Sequence, residues 1–128
     1  MNSNIKFVDY RRDSFVDYAG QTHAIVVCGI VTEIVEHDSS YRSLCIGVAM
    51  CNPIDKNKVQ LGEQIAYGKA LKCRDGNALV GRSGLLNKKL VAAILDNETE
   101  HVKQCPWQYS KAYKAAEEKY MKEHSETV

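Results

Sequence analysis

The chain has 128 residues, 45% of them hydrophobic and 26% charged, which fits an ordinary globular domain and excludes disordered and fibrous classes. Its 17 basic and 16 acidic side chains nearly cancel, so it lacks the global basic excess of proteins that hold long duplexes through phosphate contacts. A single domain over residues 1–128 is expected, large enough to bury about two thirds of the surface its unfolded form exposes without help from a metal or a disulfide.

Cys28, Cys45, Cys51, Cys73 and Cys105 are widely spaced and form no Cys-x-x-Cys pair. That spacing fits neither a zinc site nor a disulfide framework, and it predicts buried thiols in a reducing compartment. The N-terminal stretch is polar and no apolar run approaches the roughly 18 residues of a membrane span. A cytoplasmic location in the host cell, with no membrane partner, is therefore expected.

In chain order, residues 5–10 and 15–18 are expected as two short extended pieces separated by the charged Arg11-Arg12-Asp13, with a turn at Ala19-Gly20-Gln21. Residues 23–36 are rich in Val and Ile. In residues 42–51, Leu44, Ile46, Val48 and Met50 fall on alternating positions. These two runs flank turn formers at His37-Asp38-Ser39-Ser40 and predict an antiparallel hairpin. Gly29 and Gly47 lie inside the strands, where glycine marks a bulge, a close approach by another backbone or a packing requirement under a helix.

Beyond Pro53 the apolar period lengthens, and Val59, Leu61, Ile65, Ala66 and Leu71 predict one apolar stripe of a helix. Gly62 and Gly68 weaken that helix by roughly 1 kcal/mol each relative to alanine. A short strand is expected at 78–80 after the Asp75-Gly76-Asn77 turn. A helix over 85–95 carries Leu86, Leu90, Val91, Ile94 and Leu95 and ends at Asp96-Asn97. Pro106 opens a last helix with Tyr109, Ala112, Tyr113, Ala116 and Tyr120 along one face, read as a docking surface. The fold class is α+β: an antiparallel sheet, built on the hairpin 23–36/42–51 plus short strands, packed against about three helices.

No Gly-x-Ser-x-Gly elbow or activated-thiol motif is present, and Glu98, Glu100 and His101 read as a solvated loop after a helix end. Neither phosphate-loop pattern occurs. No catalysis, catalytic residue, cofactor or metal is expected. What remains is the junction where an apolar strand stops at Asn52-Pro53 and a basic helix follows, since a helix N-terminus offers unpaired amides and the positive end of its dipole to an anion.

The candidate ligand-binding residues are Asn52, Asp55, Lys56, Tyr67, Lys69, Lys72 and Arg82. Asn52 can pair with a base edge, and Lys56, Lys69 and Lys72 can neutralise phosphates. Tyr67 can stack on a base, Arg82 is a neighbour, and Asp55 doubles as a helix N-cap. The competing reading of the lysines is a solvated helix face.

Cys51, Asn52, Pro53, Asp55, Gly62, Ile65, Ala66, Gly68, Lys69 and Ala70 follow the order Cys-Ser/Asn-Pro-x-Asp, basic segment, Gly-x-x-Ile-Ala-x-Gly-Arg/Lys-Ala. Over residues 46–72 the chain resembles the Thoeris anti-defence sponge family of phage proteins. Members of that family capture cyclic ADP-ribose signals, and in some cases cyclic oligonucleotides, without cleaving them. It departs from the pattern at Glu63 and at Lys69, where arginine is usual. The resemblance implies an α+β homo-oligomer that holds a cyclic nucleotide signal near subunit contacts. Two other readings stand beside it. One is a nucleic-acid-binding or host-takeover protein using the same basic helix, and the other is a structural phage component assembling through Tyr109, Tyr113 and Tyr120.

Overall fold

Valine and isoleucine dominate Thr22–Glu36, and their branched side chains favour the extended chain found there. A computed structural model describes residues 2–51, 59–72, 79–82 and 86–125. Its strands are β1 (Asn2–Val16), β2 (Thr22–Glu36), β3 (Ser39–Met50) and β4 (Leu79–Arg82), and its helices are α1 (Val59–Leu71), α2 (Lys88–Gln104) and α3 (Lys111–Ser125). The strands make one antiparallel sheet in the order β1-β2-β3-β4. The α+β class and the hairpin of β2 with β3 are as the sequence predicts.

The two short pieces expected at the N-terminus are one strand of 15 residues, with a register slip between Ile5 and Phe7. Arg11, Arg12 and Asp13 do not interrupt it, because alternation sends them to helices on opposite faces of the sheet. On one face Arg11 Nε donates to Asp96 at 2.6 Å and Lys103 Nζ to Asp13 at 3.2 Å, both reaching α2. On the other, Arg12 donates to Glu63 of α1.

Helices cover both faces, so β2 is buried on both and reads as a continuous apolar run. Ile25, Val27, Val31, Leu44, Ile46 and Val48 pack against Val91, Leu95 and Val102 of α2. On the opposite face Val26, Cys28, Ile30 and Ala49 pack against Ala66 and Ala70 of α1. Burial pushes the Cys28 thiol up to about 11. Cys28, Cys51 and Cys105 are free, but Cys45 is disulfide-bonded. Its partner lies outside the described residues. This corrects the expectation that every thiol is unpaired, which spacing in sequence had no means of testing.

The predicted apolar stripe of α1 splits, with only Ala66 among its described members facing the sheet. Leu61, Ile65 and Leu71 are 44%, 45% and 55% exposed, while Gly62, Ala66 and Ala70 face the sheet. The reason is Gly47 of β3. A Cβ there would overlap the Ala66 carbonyl oxygen and the Ala70 amide nitrogen, so helix and strand backbones meet directly, and only small residues fit between them. Gly68, by contrast, faces open space, with nothing within 4 Å of where its Cβ would stand. Gly68→Ala is therefore expected to raise stability by about 1 kcal/mol through helix propensity. Chemical denaturation would read that gain, and a loss would show that this face needs its glycine.

Helix α2 does not stop at Asp96-Asn97 but runs on to Gln104, with Asn87 capping it through a bond from the Leu90 amide. Thr99 and Val102 continue the buried stripe of Val91 and Leu95, and this tertiary anchoring overrides the weak helix formers in between. Pro106–Gln108 is a short 3₁₀ turn rather than the start of the last helix. The α3 helix begins later, where Ser110 Oγ accepts from the Tyr113 amide at 3.1 Å. Among the described residues no helix is long and apolar enough to cross a membrane.

Candidate functional site

Two cavities compete for attention. The larger, about 390 Å³, lies at the end of the sheet beside the β1–β2 turn and is lined by Asp17, His23 and Tyr113 among others. Asp17 and His23 in its wall are already bonded to other groups of the protein. Asp17 Oδ1 accepts from the amides of Ala19 and Gln21 at 2.8 and 2.9 Å, and Oδ2 pairs with His23 Nε2 at 2.7 Å. The other ring nitrogen, Nδ1, lies 3.2 Å from the Cys51 carbonyl oxygen, and the imidazole stacks on Phe15. Burial works hardest against the charge of Asp17, yet the donors from Gln21, His23 and Ala19 outweigh it and hold the carboxyl below its usual range. Burial, with Glu117 and Asp17 nearby, pushes the Tyr113 phenol up to about 12. This is a joint that fastens turn, strand end and α3.

The smaller cavity, about 340 Å³, lies between β1 and α1 and is lined by Tyr10, Glu63, Gln64 and Tyr67. Here too Tyr10 and Glu63 have partners within the protein, and Tyr10 and Tyr67 rest against the core under α1. Burial, with the Cys28 thiol beside it, raises the Tyr10 phenol above its ordinary range. Glu63 is fixed by Arg12, whose Nε lies 2.6 Å from Oε1 and whose Nη2 bonds the same oxygen. Glu63 and Tyr67 stand one helical turn apart on α1, so both flank the same side of it.

Of the sequence-predicted residues, the four that are described are spread over α1, its end and β4. Asn52, Asp55 and Lys56 lie outside the described residues. Tyr67 lines the small cavity. Lys69 stands roughly 200° around the helix from Tyr67, and its Cβ lies 2.9 Å from the Cβ position of Gly47. It therefore belongs to the flank away from Tyr10. Lys72 is exposed just past the end of α1. The backbone of Arg82 pairs with Tyr41 on the strand at the far edge from β1. Sequence reading missed Tyr10 and Arg12 altogether. The signal was there, because Val8, Tyr10 and Arg12 alternate onto one face of a strand, but their pairing with α1 is visible only in three dimensions.

Glu98 and His101, read as loop, lie on α2 and meet at Tyr109. The phenol donates to Glu98 at 2.5 Å and stands 2.6 Å from His101 Nδ1. No cavity adjoins that chain among those described. The described residues contain no group of three or more His, Cys, Asp or Glu able to hold a metal.

Fold and site together define a two-faced antiparallel sheet domain carrying an aromatic and carboxylate cleft. No family model, curated protein or solved structure matches the chain.

Proposed function

We propose that this protein binds a cyclic nucleotide immune signal, of the cyclic ADP-ribose type or a cyclic oligonucleotide, and sequesters it without cleaving it. In this reading it is a phage-encoded anti-defence sponge acting in the cytoplasm of the host. The observation that carries the reading is the cleft in which Tyr67, the residue assigned to base stacking, is joined by Tyr10, Glu63 and Gln64. Two phenol rings offer stacking surfaces, and a carboxylate with an amide offers a way to read a base edge. The volume falls at the low end for small-molecule sites, which suits one base-sized part of a larger ligand. Arg12 also brings a guanidinium to Glu63, close to where the family pattern carries its arginine.

Self-association belongs to the same proposal. The exposed Leu61 and Ile65 on the outer side of α1 are the kind of apolar surface that a second copy covers. The assembly reading through the tyrosine stripe is less favoured, since Tyr113 is buried, Tyr109 bonds Glu98 and Tyr120 rests on Tyr18. The basic-helix reading is weakened by the separation of Lys69 from Tyr67 around α1.

Incubation with cyclic ADP-ribose and with cyclic dinucleotides, followed by denaturation, is expected to return the ligand intact. Tyr67→Ala should weaken capture by about tenfold or more, the scale of one base stacked on an aromatic ring, with little change in melting temperature. Recovery of a hydrolysed product, or unchanged affinity in Tyr67→Ala, would overturn the reading.

A further inference from the structure

Strand β1 ends the sheet, and among the described residues no strand pairs with its outer side. In an antiparallel sheet, alternate residues of such a strand turn both N–H and C=O away from the neighbouring strand. Ala24, opposite Ser14, gives its carbonyl to the Cys51 amide just past β3, so Ser14 faces outward, and with it Arg12, Tyr10 and Val8. An edge of 15 residues is a template on which another strand can add. Two features oppose that. The register slip between Ile5 and Phe7 breaks the edge near its start. Beyond the slip, charged side chains fold over the main chain. Asp9 Oδ1 accepts from the Tyr10 amide at 2.9 Å and Asp13 Oδ1 from the Ser14 amide at 2.8 Å, while Arg11 Nη1 donates to the Tyr10 carbonyl oxygen at 2.9 Å. Helix α2 braces this row, since Asp96 holds Arg11 Nε at 2.6 Å and Lys103 holds Asp13 Oδ2 at 3.2 Å.

We propose that Asp9 and Asp13, with Arg11 between them, close the free edge of β1 and keep a second copy of the chain from adding its own β1 there. A strand that pairs with Tyr10 and Ser14 has to place carbonyl oxygens where the two carboxylate oxygens now sit. It would exchange charge-assisted bonds for weaker neutral ones, and its own lone pairs would approach a negative charge. Arg11 alone does not close the edge, because a carbonyl oxygen keeps a second lone pair, so the two carboxylates decide. The occupant they exclude is a second β1, since every copy carries the same open strand and an antiparallel edge pairs with itself about a twofold axis. Pairing centred on Tyr10 sets Asp9 opposite Arg11 of the second copy, an attractive contact across strands. Over residues 7–13 no like charges oppose one another in that register, with or without Asp9. The folded-over carboxylates are what stands in the way.

The test is light scattering and amide hydrogen exchange on the full chain, on Asp9→Ala/Asp13→Ala and on Asp9→Asn/Asp13→Asn, with melting of each to show that the fold is kept. In the parent chain the Tyr10 and Ser14 amides should exchange about tenfold more slowly, relative to their intrinsic rates, than those of Val8 and Arg12, the scale of one net hydrogen bond. The alanine variant should show a concentration-dependent rise in mass toward a doubling of the parent's, and the Val8 and Arg12 amides should become protected as it rises. Reference to the parent's own mass separates this from association through α1. The asparagine variant keeps an acceptor oxygen for each amide and should behave as the parent does. Parent mass in the alanine variant at every concentration, a rise without protection of Val8 and Arg12, or an equal rise in the asparagine variant would overturn the proposal. If the alanine variant does not fold, the parent's four amides decide, because equal exchange among them would overturn it as well.

Discussion

Gly47→Val is expected to destabilise the protein by about 3 kcal/mol or more and to abolish ligand capture at the same time. Inserting bulk into a close-packed site usually costs about 1–3 kcal/mol, because neighbouring side chains can shift. Here the obstacles are the Ala66 carbonyl and the Ala70 amide, which are helix backbone and cannot rotate away. The helix must move off the sheet as a body, taking Glu63 and Tyr67 away from Arg12 and Tyr10. Gly47→Ala should already show most of the effect, since the first added carbon is the one that collides. Denaturant titration reads the loss, and a Gly47→Val protein of normal stability would show that α1 does not rest on β3 as described.

The second large effect is expected at Asp17. This carboxylate takes two backbone amides of the turn and the His23 ring, and only 3% of its side chain is exposed. Asp17→Ala would take the acceptor from both turn amides, which are exposed, and from the part-buried His23 ring, at a cost of about 2 kcal/mol. Asp17→Asn keeps an oxygen for the amides and should cost less. A pH dependence follows with a definite sign. The folded-state pKa of Asp17 is held below its ordinary value, as is that of Asp13, chiefly through the Ser14 amide. Their stabilisation is complete above the ordinary carboxylate range, near pH 4, and fades as pH falls through the lower folded values. Acid unfolding of Asp17→Ala should accordingly be shallower than that of the parent chain, and an identical pH profile would remove Asp17 from this role.

Where the sequence was read correctly, one local signal decided the outcome. Branched residues gave β2, alternation gave β3, and glycine at position 47 left a bulge, a close backbone approach or a packing requirement open, of which the structure contains the close approach under α1. Where it was misread, a partner elsewhere in the chain decided. Leu61, Ile65 and Leu71 belong to the predicted apolar stripe, yet of that stripe only Ala66 rests on the sheet, beside Gly62 and Ala70. Arg11, Arg12 and Asp13 look like an interruption until helices on either side supply Asp96, Glu63 and Lys103. The site was half legible for the same reason. Tyr67 was found from its neighbours on α1, whereas Tyr10 and Arg12 come from a strand some fifty residues earlier, as the span between Arg12 and Glu63 shows.

That span also bears on when the cleft comes into being. The β1–β2–β3 meander pairs each strand with the next across a short turn, the kind of local closure that proceeds quickly. The cleft must wait until β1 meets α1, which follows β3 in the chain. A growing chain on the ribosome thus offers no binding surface while only its strands have emerged. Ligand capture begins with completion of the fold, and a bound ligand marks a chain whose N-terminal strand and middle helix have already met.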